Sequence, residues 1–220
     1  LRMLRTSLMI SRGGGPPQIL LITSPGAGEG KSTISLNLAA ALAQQGSKVL
    51  LVDADLRRPV LHQRIGLDNE NGLSTALSSS VNQPDPQRAG TIPNLSVLCG
   101  GPVPPIPSEL LGSQRMQDLI TRWRYEYDFI VLDGPPVLPV TDAVLVARQC
   151  DAVLLVARHG ITRKKSVERG YRAIREQTPV GVVLGTVLNA VPGRSSDFSD
   201  YYGYHGNAGY AEERRNEAHA

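Results

Sequence analysis

The ten residues Ser24–Thr33, Ser-Pro-Gly-Ala-Gly-Glu-Gly-Lys-Ser-Thr, restrict the possible folds more than any other stretch of this chain. An apolar run, 18–23 (QILLIT), leads into them, and a helical pattern over 31–45 leads out. Glycines at this junction let backbone N–H groups curl around phosphate oxygens, and the helix that follows directs roughly half a positive charge at them. Lys31 supplies a full charge for β and γ phosphates, and the Ser32 hydroxyl suits Mg²⁺. Gly26, Ala27, Gly28, Glu29, Gly30, Lys31, Ser32 and Thr33 are therefore candidate contacts to ATP, with Mg²⁺ as its companion. The pattern departs from G-x-x-x-x-G-K in carrying Pro25 where the first glycine is usual. A glycine-rich turn that binds nothing is the plainer reading, and the flanking strand and helix weigh against it.

Further apolar runs at 48–53, 128–133, 151–157 and 180–188 are short, nearly continuous and rich in Val, Ile and Leu, as strands buried on both faces are. Helical patterns over 113–125, 141–149 and 163–177 alternate with them. This alternation predicts an α/β P-loop NTPase domain over 1–191: a mainly parallel central sheet flanked by helices, in three layers. Residues 99–108 (CGGPVPPIPS) predict a loop. Beyond Val191 the apolar runs stop, and 192–220 are expected to form a flexible tail.

Two of the runs end in acids. Leu50–Pro59 carries Asp53 and Asp55, whose spacing of two places both on one side of an extended chain. Phe129–Asp133 ends in Asp133 before Gly134-Pro135-Pro136. Strand carboxyl ends face the ligand crevice of a parallel sheet, so the three acids are expected to converge on Mg²⁺ and phosphate. Ser32, Asp53 and Asp133 are the candidate metal ligands, and Lys31, Asp53, Asp55 and Asp133 the candidate catalytic groups. Capping or loop solvation is the competing role for any one of these carboxylates.

Charge and composition narrow the alternatives. The 220 residues carry 23 basic and 20 acidic side chains, and an excess of +3 over a whole domain gives no support to a nucleic-acid partner. Cys99 and Cys150 lack metal or C-x-x-C spacing, which suits a reducing compartment and a cytoplasmic location. The longest apolar stretches fall well short of the roughly 20 residues a membrane span requires. His62 and His205 have no partners at metal-ligand spacing, so no metal other than Mg²⁺ is expected. Arg163, Lys164, Lys165 and Arg169 read as a solvated helix face, with a partner or an anionic membrane as the alternative. Arg57 and Arg58 fit either a surface role or pairing with acids or phosphates. The chain opens on Leu1 within a helical pattern rather than on Met, and is read as a fragment.

Over nearly its whole length the sequence resembles the bacterial tyrosine kinases (BY-kinases), cytoplasmic autokinase domains attached to chain-length regulators of capsular and extracellular polysaccharide export. Gly28–Ser32 match the family's Walker A loop, Asp53–Pro59 its Walker A′ strand end, and Asp133–Pro136 its Walker B strand end. Gly100–Leu111 resembles a family loop, with Ile106 where Asn is usual. The resemblance implies that Asn189 reads adenine and that Arg2 and Arg5 belong to a subunit-contact helix whose Glu would precede Leu1. It also implies a ring-like homo-oligomer at the inner face of the membrane. Its activator would be a membrane protein or an N-terminal membrane domain of the same chain. Partitioning and septum-placement ATPases share most of these motifs, but carry a signature lysine where this chain has Gly26. A nucleotide-switched ATPase of that type, transferring no phosphate to protein, is the alternative function.

Four of the seven tyrosines, Tyr201, Tyr202, Tyr204 and Tyr210, fall within ten residues near the C-terminus. Threaded on a Gly- and Ser-containing segment, they are candidate phosphoacceptors for a neighbouring subunit's site. A phenol with a pKa near 10 needs help to act as a nucleophile at neutral pH, and Asp55 is the candidate base.

Overall fold

Parallel strands buried on both faces have no polar alternation, and the apolar runs of this chain form such strands. The computed structural model describes residues 2–11, 15–79, 84–88, 92–179 and 182–192. In chain order the elements are α1 (Arg2–Met9), β1 (Ile19–Thr23), α2 (Lys31–Ala43), β2 (Val49–Asp53), α3 (Leu61–Ile65), α4 (Leu73–Ser78), β3 (Gln87–Arg88) and β4 (Leu95–Leu98). They continue with α5 (Pro107–Leu111), α6 (Gln114–Glu126), β5 (Phe129–Asp133), α7 (Asp142–Ala147), β6 (Ala152–Arg158), α8 (Lys164–Arg175) and β7 (Val183–Asn189).

The strands lie in the order β3-β4-β2-β5-β1-β6-β7. All pairings are parallel except the two-residue edge β3, which runs antiparallel to β4. Every residue of β1, β2 and β5 is buried. One face packs against α4 to α8 through residues such as Leu73, Met116, Trp123 and Ile174; the other packs against α1, α2 and α3 through Leu8, Leu38 and Leu61. The result is the α/β/α layering expected of a P-loop NTPase domain.

Three differences from the sequence reading have local causes. Strand β4 is only four residues long and is broken by half-buried Ser96, so it lacks the continuous run that marks its neighbours. Residues 107 and 108 are not loop, because Pro107 takes the first helical position of α5, where its missing N–H costs nothing. Helices α3 and α4 are too short to show a period.

By its contacts the chain divides into Leu1–Asn189 and Ala190–Ala220, and the expected tail beyond Pro192 lies outside the described residues. Among the described residues no helix is long and apolar enough to cross a membrane.

Candidate active site

The loop between β1 and α2 is held open by its own backbone. Gly30 takes φ 96°, a left-handed conformation that glycine adopts without strain. A Cβ there would also run into the Asn189 amide. The N-cap of α2 is Gly30, which has no side chain to cap the first turn, so its leading N–H groups stay available to an anion. A cavity of about 550 Å³ opens over this turn, lined by Ala27, Gly28, Gly30, Lys31, Ser32 and Asp55, with Arg57, Arg58, Pro135 and Pro136 on its far side. Size alone does not locate the site. A hollow of about 590 Å³ between α8 and β7 is lined by Val167, Tyr171 and Thr186 with the charged Glu168, Arg172, Arg175 and Glu176, and includes no residue of the glycine loop or of the strand-end acids.

Lys31 Nζ donates to Asp55 Oδ2 at 2.8 Å, with both side chains largely buried. Beneath this pair, Asp53 and Asp133 stand opposite each other in the β2–β5 register, neither exposed to solvent. Burial first, and then the neighbouring Asp133 charge, push the Asp53 carboxyl up to about 7. Burial likewise raises Asp133, while the Lys31 charge and the Ser32 and Ser35 hydroxyls pull it back. Ser35 donates to Asp133 Oδ1 at 3.0 Å, and among the described residues Oδ2 has no hydrogen-bond partner.

The three acids do not form a common cage. Among the described residues no group of three His, Cys, Asp or Glu is placed to hold a metal. Asp53 Oδ2 accepts the backbone N–H groups of Val60 and Leu61 at 2.8 and 2.9 Å, which ties down the start of α3. Asp55 is occupied by Lys31. The unpartnered oxygen of Asp133 and the nearby Ser32 hydroxyl are hard oxygen donors suited to Mg²⁺. A buried acceptor without a donor is costly unless a ligand completes it.

Other expected residues have different places. Glu29 turns inward: Oε2 accepts from Gly26 N at 2.9 Å and Oε1 from the Thr162 hydroxyl at 2.6 Å, bracing the loop. Asn189 Nδ2 donates to Glu29 O at 3.1 Å, at the loop's rim. Thr33 is exposed and accepts from Arg64 Nη1. Arg5 is half-buried on α1, which also includes Arg2. Tyr201, Tyr202, Tyr204, Tyr210 and His205 lie outside the described residues. Arg57, left open between solvent and pairing, binds Asp142 through two hydrogen bonds of 2.7 and 3.0 Å.

Sequence reasoning missed Ser35, Arg158 and Thr162. Ser35 had a signal, since it lies one helical turn after Lys31 and shares its face. Arg158, whose Nη1 donates to Gly28 O at 3.2 Å, and Thr162 had none.

Residues 20–203 match the family described as the CobQ/CobB/MinD/ParA nucleotide binding domain. The chain is 37% identical over 205 residues to the tyrosine-protein kinase YwqD of Bacillus subtilis, covering 93% of this chain and 84% of that one. The kinase domain of Escherichia coli tyrosine kinase ETK superposes with a TM-score of 0.82 at 38% identity, covering 89% of this chain and 76% of that domain. The septum site-determining protein MinD of Pyrococcus horikoshii, solved in complex with Mg-ADP, gives 0.65 at 25% identity, covering 81% and 72%.

Proposed function

Because the chain belongs to the tyrosine-protein kinases within the CobQ/CobB/MinD/ParA nucleotide-binding family, we propose that it is an ATP-dependent tyrosine autokinase acting on its own C-terminal tyrosines, between subunits. The observation that carries the reading is the Lys31–Asp55 pair at the mouth of an uncapped helix, with the Lys31 charge acting on buried Asp133, one of whose oxygens has no hydrogen-bond partner among the described residues. The α2 N-terminus and the glycine loop receive the phosphates. Lys31 then exchanges Asp55 for β and γ oxygens, leaving the Asp55 carboxylate free in the cavity. Ser32 and Asp133 would hold Mg²⁺, which supplies charge neutralisation at the phosphates; Asp53 supports them from behind.

Transfer requires the tyrosine oxygen to bond to the γ phosphorus while the bond to the bridging oxygen breaks and ADP leaves. Asp55 takes the phenolic proton. Alignment and charge do most of this work, and both are preset here. Asn189 and Glu29 contribute by fixing the loop. As the resemblance implies, the setting is a ring of subunits at the cytoplasmic face of a bacterial membrane. There the subunits would work with a membrane activator in the control of polysaccharide export.

Incubation with Mg-ATP followed by intact-mass measurement tests the proposal. Additions of single phosphates that map to 201–210 are expected. ADP release from an unmodified protein would instead identify a partitioning-type ATPase.

A further inference from the structure

Charge is spread unevenly over this chain, and the region of α8 takes the excess. Residues 163–176 carry six cations, Arg163, Lys164, Lys165, Arg169, Arg172 and Arg175, against Glu168 and Glu176, which leaves the stretch at +4. The rest of the chain has 17 basic and 18 acidic side chains, so the +3 of the whole chain arises from this one helix. All six cations are exposed, and among the described residues none of them is in an ion pair. None lines the nucleotide cavity.

Their placement works against the helix. The first turn of α8 has no acid, and its N-cap, Arg163, makes no side-chain cap. Arg163, Lys164 and Lys165 therefore stand together at the positive end of the helix dipole, where cations are unfavourable. Lys165, Arg169, Arg172 and Arg175 follow at intervals of four, three and three, so like charges are neighbours along the helix. A layer of negative charge outside the protein relieves both repulsions.

The form of the surface selects its occupant. Helix α8 has 12 residues and is about 18 Å long. With a screening length of about 8 Å at physiological ionic strength, its cations act together on an extended layer of charge. Ile161, just before the N-cap, is 63% exposed, and Leu188, near the end of edge strand β7, is 56% exposed. The turn that carries Ile161 is tied to that strand end, because the His159 N–H donates to Asn189 O at 2.9 Å. The phosphate backbone of a nucleic acid gives such side chains nothing to pack on, whereas a lipid headgroup layer has hydrocarbon just beneath it.

We propose that the outer face of α8 is a docking surface for an anionic lipid bilayer. Its cations meet the lipid phosphates, and Ile161 enters between the headgroups. The contact is peripheral, gains its strength as a sum over the cations, and weakens with salt. It goes beyond the kinase reading and needs neither nucleotide nor the tyrosine segment.

Co-sedimentation of the full chain with vesicles of equal parts phosphatidylglycerol and phosphatidylcholine tests the surface, with phosphatidylcholine vesicles as the neutral comparison. Binding to the anionic vesicles alone is expected, falling steeply as salt is raised. Lys165→Glu and Lys48→Glu lower the net charge equally, but exposed Lys48 precedes β2, with β5 and β1 between that strand and β6. Lys165→Glu should weaken vesicle binding by ~10-fold and Lys48→Glu far less. Ile161→Ser should weaken it by ~5-fold. Mg-ADP affinity stays unchanged in all three, which reports an intact fold. No binding by the wild type, equal binding to neutral vesicles, or equal losses in Lys165→Glu and Lys48→Glu would each overturn the proposal. Tighter binding to a random-sequence DNA duplex than to the anionic vesicles, with Ile161→Ser without effect, would assign the face to nucleic acid and overturn it too. Failure of the kinase reading shows separately, as absent phosphate in the intact-mass experiment, whatever the vesicles do.

Discussion

Asp133 and Asp151 sit at opposite ends of the same sheet, and the two ends treat a carboxylate in opposite ways. At the amino ends of β1 and β6, Asp151 is fully supplied with donors. Its Oδ2 accepts from the backbone of Gln18 and Ile19 at 3.1 and 2.8 Å, and Arg124 binds both oxygens at 3.1 and 2.6 Å. Partial burial pushes its pKa up, but the Arg124 hydrogen bonds and the backbone donors outweigh it and hold the carboxyl below its usual range. At the carboxyl ends, Asp53 and Asp133 are buried side by side, both are raised, and one Asp133 oxygen has no hydrogen-bond partner among the described residues. A structural acid is satisfied within the fold, whereas a functional one is left for a ligand to satisfy.

The comparison breaks most visibly at Lys31, the positive charge facing the unsatisfied end. Lys31→Ala is expected to reduce phosphate incorporation by ~10³-fold or more, in line with the loss of a preorganised electrostatic contact. Single-turnover transfer from Mg-ATP measures it, and a variant retaining near-normal rates would remove Lys31 from the chemistry.

The next effect is on stability, and its sign is unusual for an acid. Asp53 keeps its proton to about 7 in the folded chain but releases it near 3.8 when unfolded. Between those values the folded state binds more protons, so this residue's contribution falls as pH rises and levels off above about 7. The gap corresponds to about 4 kcal/mol of cost at neutral pH, and Asp133 acts with the same sign. Asp151 works in the other direction: its contribution is complete above 3.8 and is lost as pH falls through its depressed pKa. Calorimetric melting of the nucleotide-free protein from pH 4 to 8 should show Asp53→Asn flattening the decline. An unchanged slope would place the frustration elsewhere.

How legible each end was depends on how local its contacts are. Strands β1, β2, β5 and β6 follow from uninterrupted apolar runs, and Lys31, Ser32, Asp53, Asp55 and Asp133 from motifs only a few residues long. Short α3 was hidden because its start is tied by Asp53, a partner eight residues before Leu61. Helix α4 begins on the carbonyls of Cys99 and Gly100, which no helical period announces. The bracing of the glycine loop by Thr162 spans 133 residues, and the Arg57–Asp142 pair spans 85. Separations of that order become contacts only when the sheet order is known. Asp151 itself read as the polar start of a strand, because its donors come from Gln18, Ile19 and Arg124.

The satisfied end is expected to respond without touching function. Asp151→Ala leaves Arg124 and two backbone N–H groups without their acceptor and should cost about 2 kcal/mol, seen as a lower Tm with phosphate transfer unchanged. Arg124→Lys is the finer test. It keeps the charge but loses the fork that reaches both Asp151 oxygens, and Asp151 keeps its two backbone donors, so a smaller loss of about 1 kcal/mol is expected. Were Arg124→Lys to cost as much as Asp151→Ala, the guanidinium geometry rather than the backbone donors would be what satisfies this acid. A change in transfer rate in either variant would show that the two ends are coupled through the sheet, and the division between structural and functional carboxylates would fail.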